Sequence, residues 1–188
     1  SMRSFKNVFI IIVFVLSAPS LYAQEFSADT VATINGKVMT GKLYCSRDRW
    51  RIEMSADERH QVSIIRKDKK IIWHIADQQK QYLEFPLREE DLPVAIGQKI
   101  LGEVKREKLG KETINGRSVV KYKVYFKVKN QEGFTYQWVD EEYKIPIRSS
   151  YENGQYTSEI KNFVPGPQPA ALFELPSDVT PYTIPMTR

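Results

Sequence analysis

The chain of 188 residues contains one cysteine and two histidines. A single cysteine, Cys45, cannot form a disulfide within the chain, and His60 and His74 fall in different predicted segments, which is not a metal-binding pattern. The sequence has no G-x-S-x-G elbow, no phosphate-binding glycine loop and no H-E-x-x-H motif. These absences predict a protein that is not an enzyme, with no catalytic residue, no metal and no cofactor.

Long apolar runs are equally scarce, and the one present, Val8–Leu16, follows a short basic start. Small and polar residues lead from this run to Ala23, which is the order of a secretory signal peptide. The run is shorter than the ~20 residues that a membrane-spanning helix needs. Residues 1–23 are therefore predicted to be a signal peptide, with Ser1, ahead of the initiator Met2, interpreted as a remnant of expression.

The rest of the chain, residues 24–188, is predicted to be one domain that ends in an irregular, proline-rich tail over residues 165–188. Because no cysteine follows the apolar run at the cleavage point, the chain lacks an acceptor for an N-terminal lipid. The predicted location is the periplasm, with peripheral or no membrane contact. The formal net charge is +5, but basic and acidic residues are interleaved, which argues against a nucleic-acid partner. The oligomeric state is left open.

Apolar and polar residues alternate from Phe26 onward, which is typical of strands with one buried face. Asn-Gly pairs and other short polar turns separate the alternating runs and predict consecutive hairpins. The fold class is therefore mainly β, with one large antiparallel sheet. The eleven predicted strands are 26–34, 37–45, 49–54, 61–66, 71–77, 81–85, 104–113, 117–129, 134–140, 144–151 and 156–164.

A sheet of about ten or more twisted strands tends to curl, so its apolar face becomes a concave interior. One short helix is predicted at Leu92–Leu101, with Asp91 as its N-cap, and it is too small to cover that face. The sequence thus predicts an unclosed half-barrel with the helix as a lid or plug. The predicted lining, which would bind an apolar ligand, is Trp50, Ile52, Met54, Ile71, Trp73, Ile75, Tyr122, Val124, Phe126, Phe134, Tyr136 and Trp138.

Lysines occupy alternate positions in the strand 117–129, at Lys121, Lys123 and Lys127. Strict alternation places them opposite the aromatic residues of the same strand. Lysines and aromatic rings on opposite faces cannot bind a nucleic acid together. We interpret the lysines as a solvated outer face. The tail residues Leu172, Phe173 and Leu175 are predicted to dock on the domain as an irregular segment.

A set of short motifs extends over most of residues 26–184. The motifs are Gly41-Lys42-Leu43-Tyr44, Arg47, Trp50-Arg51-Ile52-Glu53-Met54, the stretch from Ile64 to Trp73 with Gln81-Tyr82, the stretch from Tyr136 to Pro146, and Leu172-Phe173-Glu174-Leu175-Pro176. Together they resemble the LolA-like periplasmic proteins.

The resemblance implies an unclosed antiparallel half-barrel with helices as a lid over an apolar cavity. LolA itself carries the acyl chains of lipoproteins across the periplasm, so the implied partner is a lipid or a lipoprotein acyl chain, as in outer membrane lipoprotein sorting. Arg47 matches an arginine that helps to hold the lid shut in LolA, but Asp48 stands where the family has proline. The implied lid contacts are Arg47, Leu92, Ile96 and Ile100.

The chain also departs from LolA at its start, because the first strand begins at Phe26 without a preceding helix. The resemblance is therefore to an uncharacterised LolA-like branch. If Val8–Leu16 is ordered, we predict that it is helical and occupies an apolar groove where that helix would lie. Two functions stay open: a carrier or binder of an apolar, acylated ligand, and an envelope scaffold or sensor that acts through protein contacts.

Overall fold

In the computed structural model, which describes residues 25–88, 91 and 99–182, the chain forms one twelve-stranded sheet. The strands are β1 Glu25–Ile34, β2 Lys37–Ser46, β3 Arg49–Ala56, β4 Arg59–Arg66, β5 Ile71–Ala76, β6 Gln81–Pro86, β7 Glu103–Ile114, β8 Arg117–Val128, β9 Gln131–Asp140, β10 Pro146–Tyr151, β11 Tyr156–Pro165 and β12 Thr180–Pro181. Short 3-10 turns span Asp77–Gln79 and Ala170–Phe173.

The strand order across the sheet is β12-β6-β5-β4-β3-β2-β1-β11-β10-β9-β8-β7, which leaves the sheet unclosed. Every neighbouring pair is antiparallel except β12 with β6. The predicted fold class is confirmed, as are all eleven predicted strands. The predicted signal peptide, including the Val8–Leu16 helix, lies outside the described residues, and so does most of the predicted Leu92–Leu101 helix. The division at residue 24 stays a prediction.

The first strand lies in the middle of the sheet and pairs on one side with β2, its neighbour in sequence. On its other side β1 pairs with β11, so that Phe26 stands opposite Pro165 and Ile34 opposite Tyr156. This pair joins two meanders, β2–β6 and β7–β10, into one sheet.

Tight turns at Asn-Gly pairs set the register of two hairpins. Asn35 and Gly36 have φ angles of 49° and 79°, and Asn115 and Gly116 have 50° and 76°. Two successive positive φ angles are typical of the two-residue turns whose twist matches that of the flanking strands. The hairpins β1–β2 and β7–β8 predicted from these pairs are confirmed.

The sheet has two faces, which we name by what they carry. The core face includes the registered row Phe26, Cys45, Trp50, Ile65 and Ile72, which crosses β1–β5 and is at most 6% exposed. The tail face is the opposite side, over which the C-terminal segment after β11 packs. Both faces bury apolar side chains.

Candidate functional site

Half of the twelve residues predicted to line an interior share the core face. They are Trp50, Ile52, Met54, Tyr122, Val124 and Phe126. On β3, Trp50 stands opposite Cys45. On β8, Tyr122 stands opposite Gln137, which in turn is opposite Ser149 of β10. The register continues from Ser149 through Ser158 and Ala32 to Met39, which is on the same face of β2 as Cys45. The two sets therefore lie on the same side of one continuous sheet.

The other six lie on the tail face, so the prediction that all twelve line one interior is wrong. They are Ile71, Trp73, Ile75, Phe134, Tyr136 and Trp138. Trp73 is registered with Ile64 and through it with Arg51, whose side chain points away from the core face. Trp138 is registered with Lys121 and Arg148. Ligand contact by the six core-face residues stays a prediction.

Two of the four predicted lid contacts, Leu92 and Ile96, lie outside the described residues. Ile100 is half-buried, and its backbone N–H donates to the Glu103 carboxylate at 2.9 Å. Arg47 is exposed in the turn between β2 and β3, with a φ of 56°. Its contact with a lid stays a prediction.

The core face of β1–β5 is apolar and tightly buried. Leu43 and Cys45 have no exposed surface, and Ile52 and Met54 are 2% and 3% exposed. The buried Thr30 hydroxyl donates to the Met54 sulfur at 3.4 Å. Burial raises the pKa of the Cys45 thiol, with the charge of Glu25 acting in the same direction. An inert, protonated thiol follows, as expected for a cysteine within the core.

The core face of β9–β11 is different, because it buries a row of polar side chains. Ser158, Ser149 and Gln137 stand opposite one another in register and are 5%, 1% and 1% exposed. Among the described residues, Gln137 Nε2 and Ser149 Oγ have no hydrogen-bond partner. Burial also raises the pKa of the Tyr151 and Tyr156 phenols, whose rings lie 5.2 Å apart beside this row. Sequence analysis missed these residues.

The C-terminal segment closes the tail face over β3–β6. Phe173 is completely buried there and packs in a cluster with Val62, Ile64, Trp73 and Ile75. Leu172 and Leu175 pack against the same cluster, so the predicted docking of the tail is confirmed. Beyond it, the Thr180 N–H donates to the Lys80 carbonyl at 2.9 Å, which aligns β12 with β6.

One buried arginine fixes this segment to β4. The Arg66 side chain is 5% exposed and donates two hydrogen bonds to Asp68, at 2.8 and 2.6 Å. It also donates to the Phe173 carbonyl at 3.0 Å and to the Glu174 carboxylate at 2.6 Å. The hydrogen bond from Arg66 holds the pKa of Asp68 below its usual range. Burial raises the pKa of Glu174, but Arg66 and Lys69 outweigh it and hold the pKa below the usual range.

The Arg66→Met variant tests this contact through its pH dependence. Both carboxyl pKa values are lowered in the folded state, so their contribution to stability is present above pH ~4, the unfolded range, and is lost as the pH falls through the folded values. At pH 7 we expect Arg66→Met to lose about 2 kcal/mol, a value kept low because both carboxylates are partly in water. Urea unfolding at neutral and acid pH measures the difference, which should shrink in acid.

A suitable control is Arg47→Met, which removes an exposed arginine in a turn and should change stability by less than about 0.5 kcal/mol at either pH. An Arg66→Met deficit that is the same at both pH values would show that the arginine acts through packing alone.

Lysines and aromatic rings are brought together on the tail face of β8 and β9, contrary to the sequence-based interpretation. The Lys123 Nζ lies 3.8 Å from the centre of the Phe134 ring, and the Lys121 Nζ lies 4.7 and 4.9 Å from those of Tyr136 and Trp138. Within β8, alternation separates the lysines from Tyr122 and Phe126 but not from Tyr125, whose ring centre is 5.1 Å from the Lys123 Nζ. The register places Lys121 and Lys123 opposite aromatic residues of β9, whereas Lys127 is opposite Glu132.

The two histidines lie on different faces. His74 is on the core face, where its Nδ1 is 2.9 Å from the Ser63 hydroxyl, and His60 Nδ1 is 3.8 Å from Asp77 on the other side. Within residues 25–88, 91 and 99–182, no three His, Cys, Asp or Glu side chains are grouped so that they could hold a metal ion. In the same part of the chain, no helix is long and apolar enough to cross a membrane.

A shallow groove of about 500 Å³ lies on the tail face across β11, β1, β2 and β3. Within it, Asp29 accepts a hydrogen bond from Asn162 at 2.7 Å and faces Lys42 at 3.5 Å. The hydrogen bond from Asn162 lowers the pKa of Asp29. The groove is therefore an open, polar surface.

Comparison with protein families gives one match, to the model described as a domain of unknown function (DUF4412), over residues 29–142. No curated protein sequence matches the chain.

The solved structures that are similar to this chain are distant from it in sequence. An uncharacterized conserved protein from Thermus thermophilus has a TM-score of 0.63 at 12% identity, covering 85% of this chain and 90% of that chain. LprF from Mycobacterium bovis has a TM-score of 0.47 at 10% identity, covering 84% and 91%. The lipoprotein LppX from Mycobacterium tuberculosis has a TM-score of 0.48 at 13% identity, covering 72% and 83%. The match to the Thermus thermophilus protein shows that the two chains share a fold.

Proposed function

Since this chain belongs to the DUF4412 family, a domain of unknown function, we propose a function from its own geometry: it binds or carries an apolar, acylated ligand on the core face. The ligand is a lipid or the acyl chain of a lipoprotein, and the protein acts in the periplasm without catalysis. The observation that carries the proposal is the core face itself, an apolar surface that continues across β1–β5 into a buried polar row on β9–β11.

The apolar character of the core face supports this function. Its side chains are removed from water in this structure, and the row from Phe26 to Ile72 is at most 6% exposed. Among the described residues, the segment that packs across the sheet after β11 lies on the tail face, where Phe173 is buried. An acyl chain on the core face would replace apolar contacts by contacts of the same kind.

The three tryptophans provide a built-in test, because Trp50 is on the core face and Trp73 and Trp138 are on the tail face. The double variant Trp73→Phe/Trp138→Phe keeps only the core-face reporter, and Trp50→Phe keeps only the tail-face reporters. We expect a monoacylglycerol brominated in mid-chain to quench the double variant strongly and Trp50→Phe weakly. Fluorescence titration measures this, with the unbrominated lipid as the control.

Quenching of Trp50→Phe alone would place the ligand on the tail face and overturn the proposal, as would the absence of quenching in both proteins. Mass spectrometry of solvent extracts from the protein purified out of its native envelope identifies the natural ligand. Circular dichroism confirms that both variants are folded.

A second function, an envelope scaffold or sensor acting through protein contacts, is favoured by the free edge of the sheet. Strand β7 ends the sheet on one side, and Val104 and Leu109 on it are 65% and 50% exposed. Lys105, Lys108 and Lys111 interrupt these apolar residues, as is typical of edge strands protected against pairing. Recovery of a ligand-free native protein with a reproducible crosslink to β7 would favour this second function.

A further inference from the structure

The polar row on the core face of β9–β11 runs across the strands and not along one of them. Ser158 stands opposite Ser149, and Ser149 stands opposite Gln137. On the other side Ser158 is opposite Ala32, which is opposite Met39. The row therefore leads directly into the apolar part of the core face.

Two atoms of this row are buried without satisfying their hydrogen-bonding capacity. Among the described residues, neither Gln137 Nε2 nor Ser149 Oγ has a partner, although both side chains are 1% exposed. The hydroxyl of Thr135, on the same strand and face, shows the usual arrangement, since it donates to the Ser150 carbonyl at 2.9 Å. A buried polar group without a partner is costly and rare in folded proteins, and a bound molecule is one of its ordinary explanations.

The chemistry of the row selects the partner. An amide Nε2 can only donate, and a serine hydroxyl can donate as well as accept, so both can bind one acceptor oxygen. Ser158, Ser149 and Gln137 carry no charge. The register continues from Gln137 through Tyr122 to Lys108 of β7, which is exposed to solvent. Arg106, also on the core face of β7, is 2.9 Å from the Glu103 carboxylate. A neutral acceptor fits this surrounding, whereas an anion would be buried without compensation.

We propose that Gln137 and Ser149 form a subsite that hydrogen-bonds the carbonyl oxygen of the ester or amide at the head of an acyl chain. The inference rests on the proposed carrier function and adds the substrate class: acyl compounds in preference to alkyl ones. The chain of the ligand would extend from this subsite past Ala32 and Met39 over β1 and β2.

A matched pair of neutral lipids tests the subsite in the full protein. Monopalmitoylglycerol has an ester carbonyl, and 1-O-hexadecylglycerol has the same chain length and headgroup with an ether instead. Displacement of a polarity-sensitive dye gives both affinities. We expect the wild-type protein to bind the ester about ten-fold more tightly than the ether, which corresponds to about 1.4 kcal/mol.

Gln137→Leu and Ser149→Ala should each reduce this preference to about three-fold, because each removes one of two hydrogen bonds that share the ten-fold effect. Neither variant should lower the melting temperature, because each removes an unpartnered buried polar group. Thr135→Val is the matched control: it removes a satisfied hydroxyl on the same face, so the melting temperature should fall and the preference should persist.

The outcomes separate the two proposals. Failure of both lipids to bind would overturn the carrier function and the subsite with it. Equal binding of ester and ether by the wild-type protein would overturn the subsite and leave the carrier function standing. A ten-fold preference that survives in Gln137→Leu and Ser149→Ala would assign the carbonyl to other residues and would also overturn the subsite.

Discussion

Phe173→Ala is expected to lower the free energy of unfolding by about 3–5 kcal/mol, the range for truncating a fully buried phenylalanine. The ring has no exposed surface and fills the space over Ile64 and Trp73 on the tail face. Its loss leaves a cavity under the segment that links β11 to β12. The Arg49 guanidinium, 5.1 Å from the ring centre, also loses a cation–π contact.

Guanidinium unfolding measures the change, and the melting temperature should fall by roughly 6–20 °C for a domain of this size. Hydrogen exchange at Thr180 and Tyr182, whose N–H groups donate to Lys80 and Tyr82, reports whether the tail separates before the sheet unfolds. Phe173→Leu keeps the cluster apolar and should lose only about 1–2 kcal/mol. A loss below about 1 kcal/mol for Phe173→Ala would mean that the tail adds little to the stability of the fold.

Gly41→Ala is expected to cost about 3 kcal/mol or more, because a Cβ at this position has no space. It would overlap the carbonyl oxygen of Glu53 on the neighbouring strand and lie 2.7 Å from the carbon of that carbonyl. These are backbone atoms, so relief requires β2 and β3 to separate at the centre of the sheet. This close approach explains the glycine in the Gly41-Lys42-Leu43-Tyr44 motif in physical terms.

Gly133→Ala is the matched control, since Gly133 also lies within a strand and its added Cβ would be 3.5 Å from the Phe126 ring, an ordinary contact. Alanine should gain about 0.5 kcal/mol there, because glycine loses more backbone freedom on folding. Chemical denaturation of the two variants gives the comparison. Equal stabilities would show that β2 and β3 can move apart at no cost.

Strand positions could be predicted from the sequence because alternation and turn residues are local signals. Each of the eleven runs became a strand, and the Asn-Gly pairs at residues 35 and 115 adopted the positive φ angles that they favour. Strand β12 could not be predicted in this way. It contains only Thr180 and Pro181, and its pairing with β6 depends on where the tail docks.

The assignment of strands to faces failed because it depends on register. Each hairpin from β3 to β6 pairs even-numbered residues with odd-numbered ones: Trp50 faces Ile65, and Ile65 faces Ile72. Even residues of β3 and β5 therefore share a face, and Trp73 must lie on the other. The face of each residue follows from whether its number is even or odd, once the length of each turn is taken into account, since a shift of one residue moves every side chain to the opposite face.

The same count identifies the polar row. Even residues of β8 lie on the core face, so odd residues of β9, Thr135 and Gln137, must lie there too. The sequence-based prediction chose the aromatic residues Phe134, Tyr136 and Trp138, which lie on the opposite face of β9. Unpartnered atoms such as Gln137 Nε2 are tertiary properties that no residue pattern contains.

The central pairing of β1 with β11 also governs when the molecule can be completed. Synthesis produces β1 well before β11, yet residues 26 and 165 end as direct partners. Contacts so distant along the chain carry a large entropic cost of loop closure and are associated with slow folding. A growing chain of this topology lacks the central pairing of its sheet until β11 has been made. For the exported protein proposed above, this delay would keep the chain unfolded while it is threaded through a translocation channel, so that the binding face forms only on the far side.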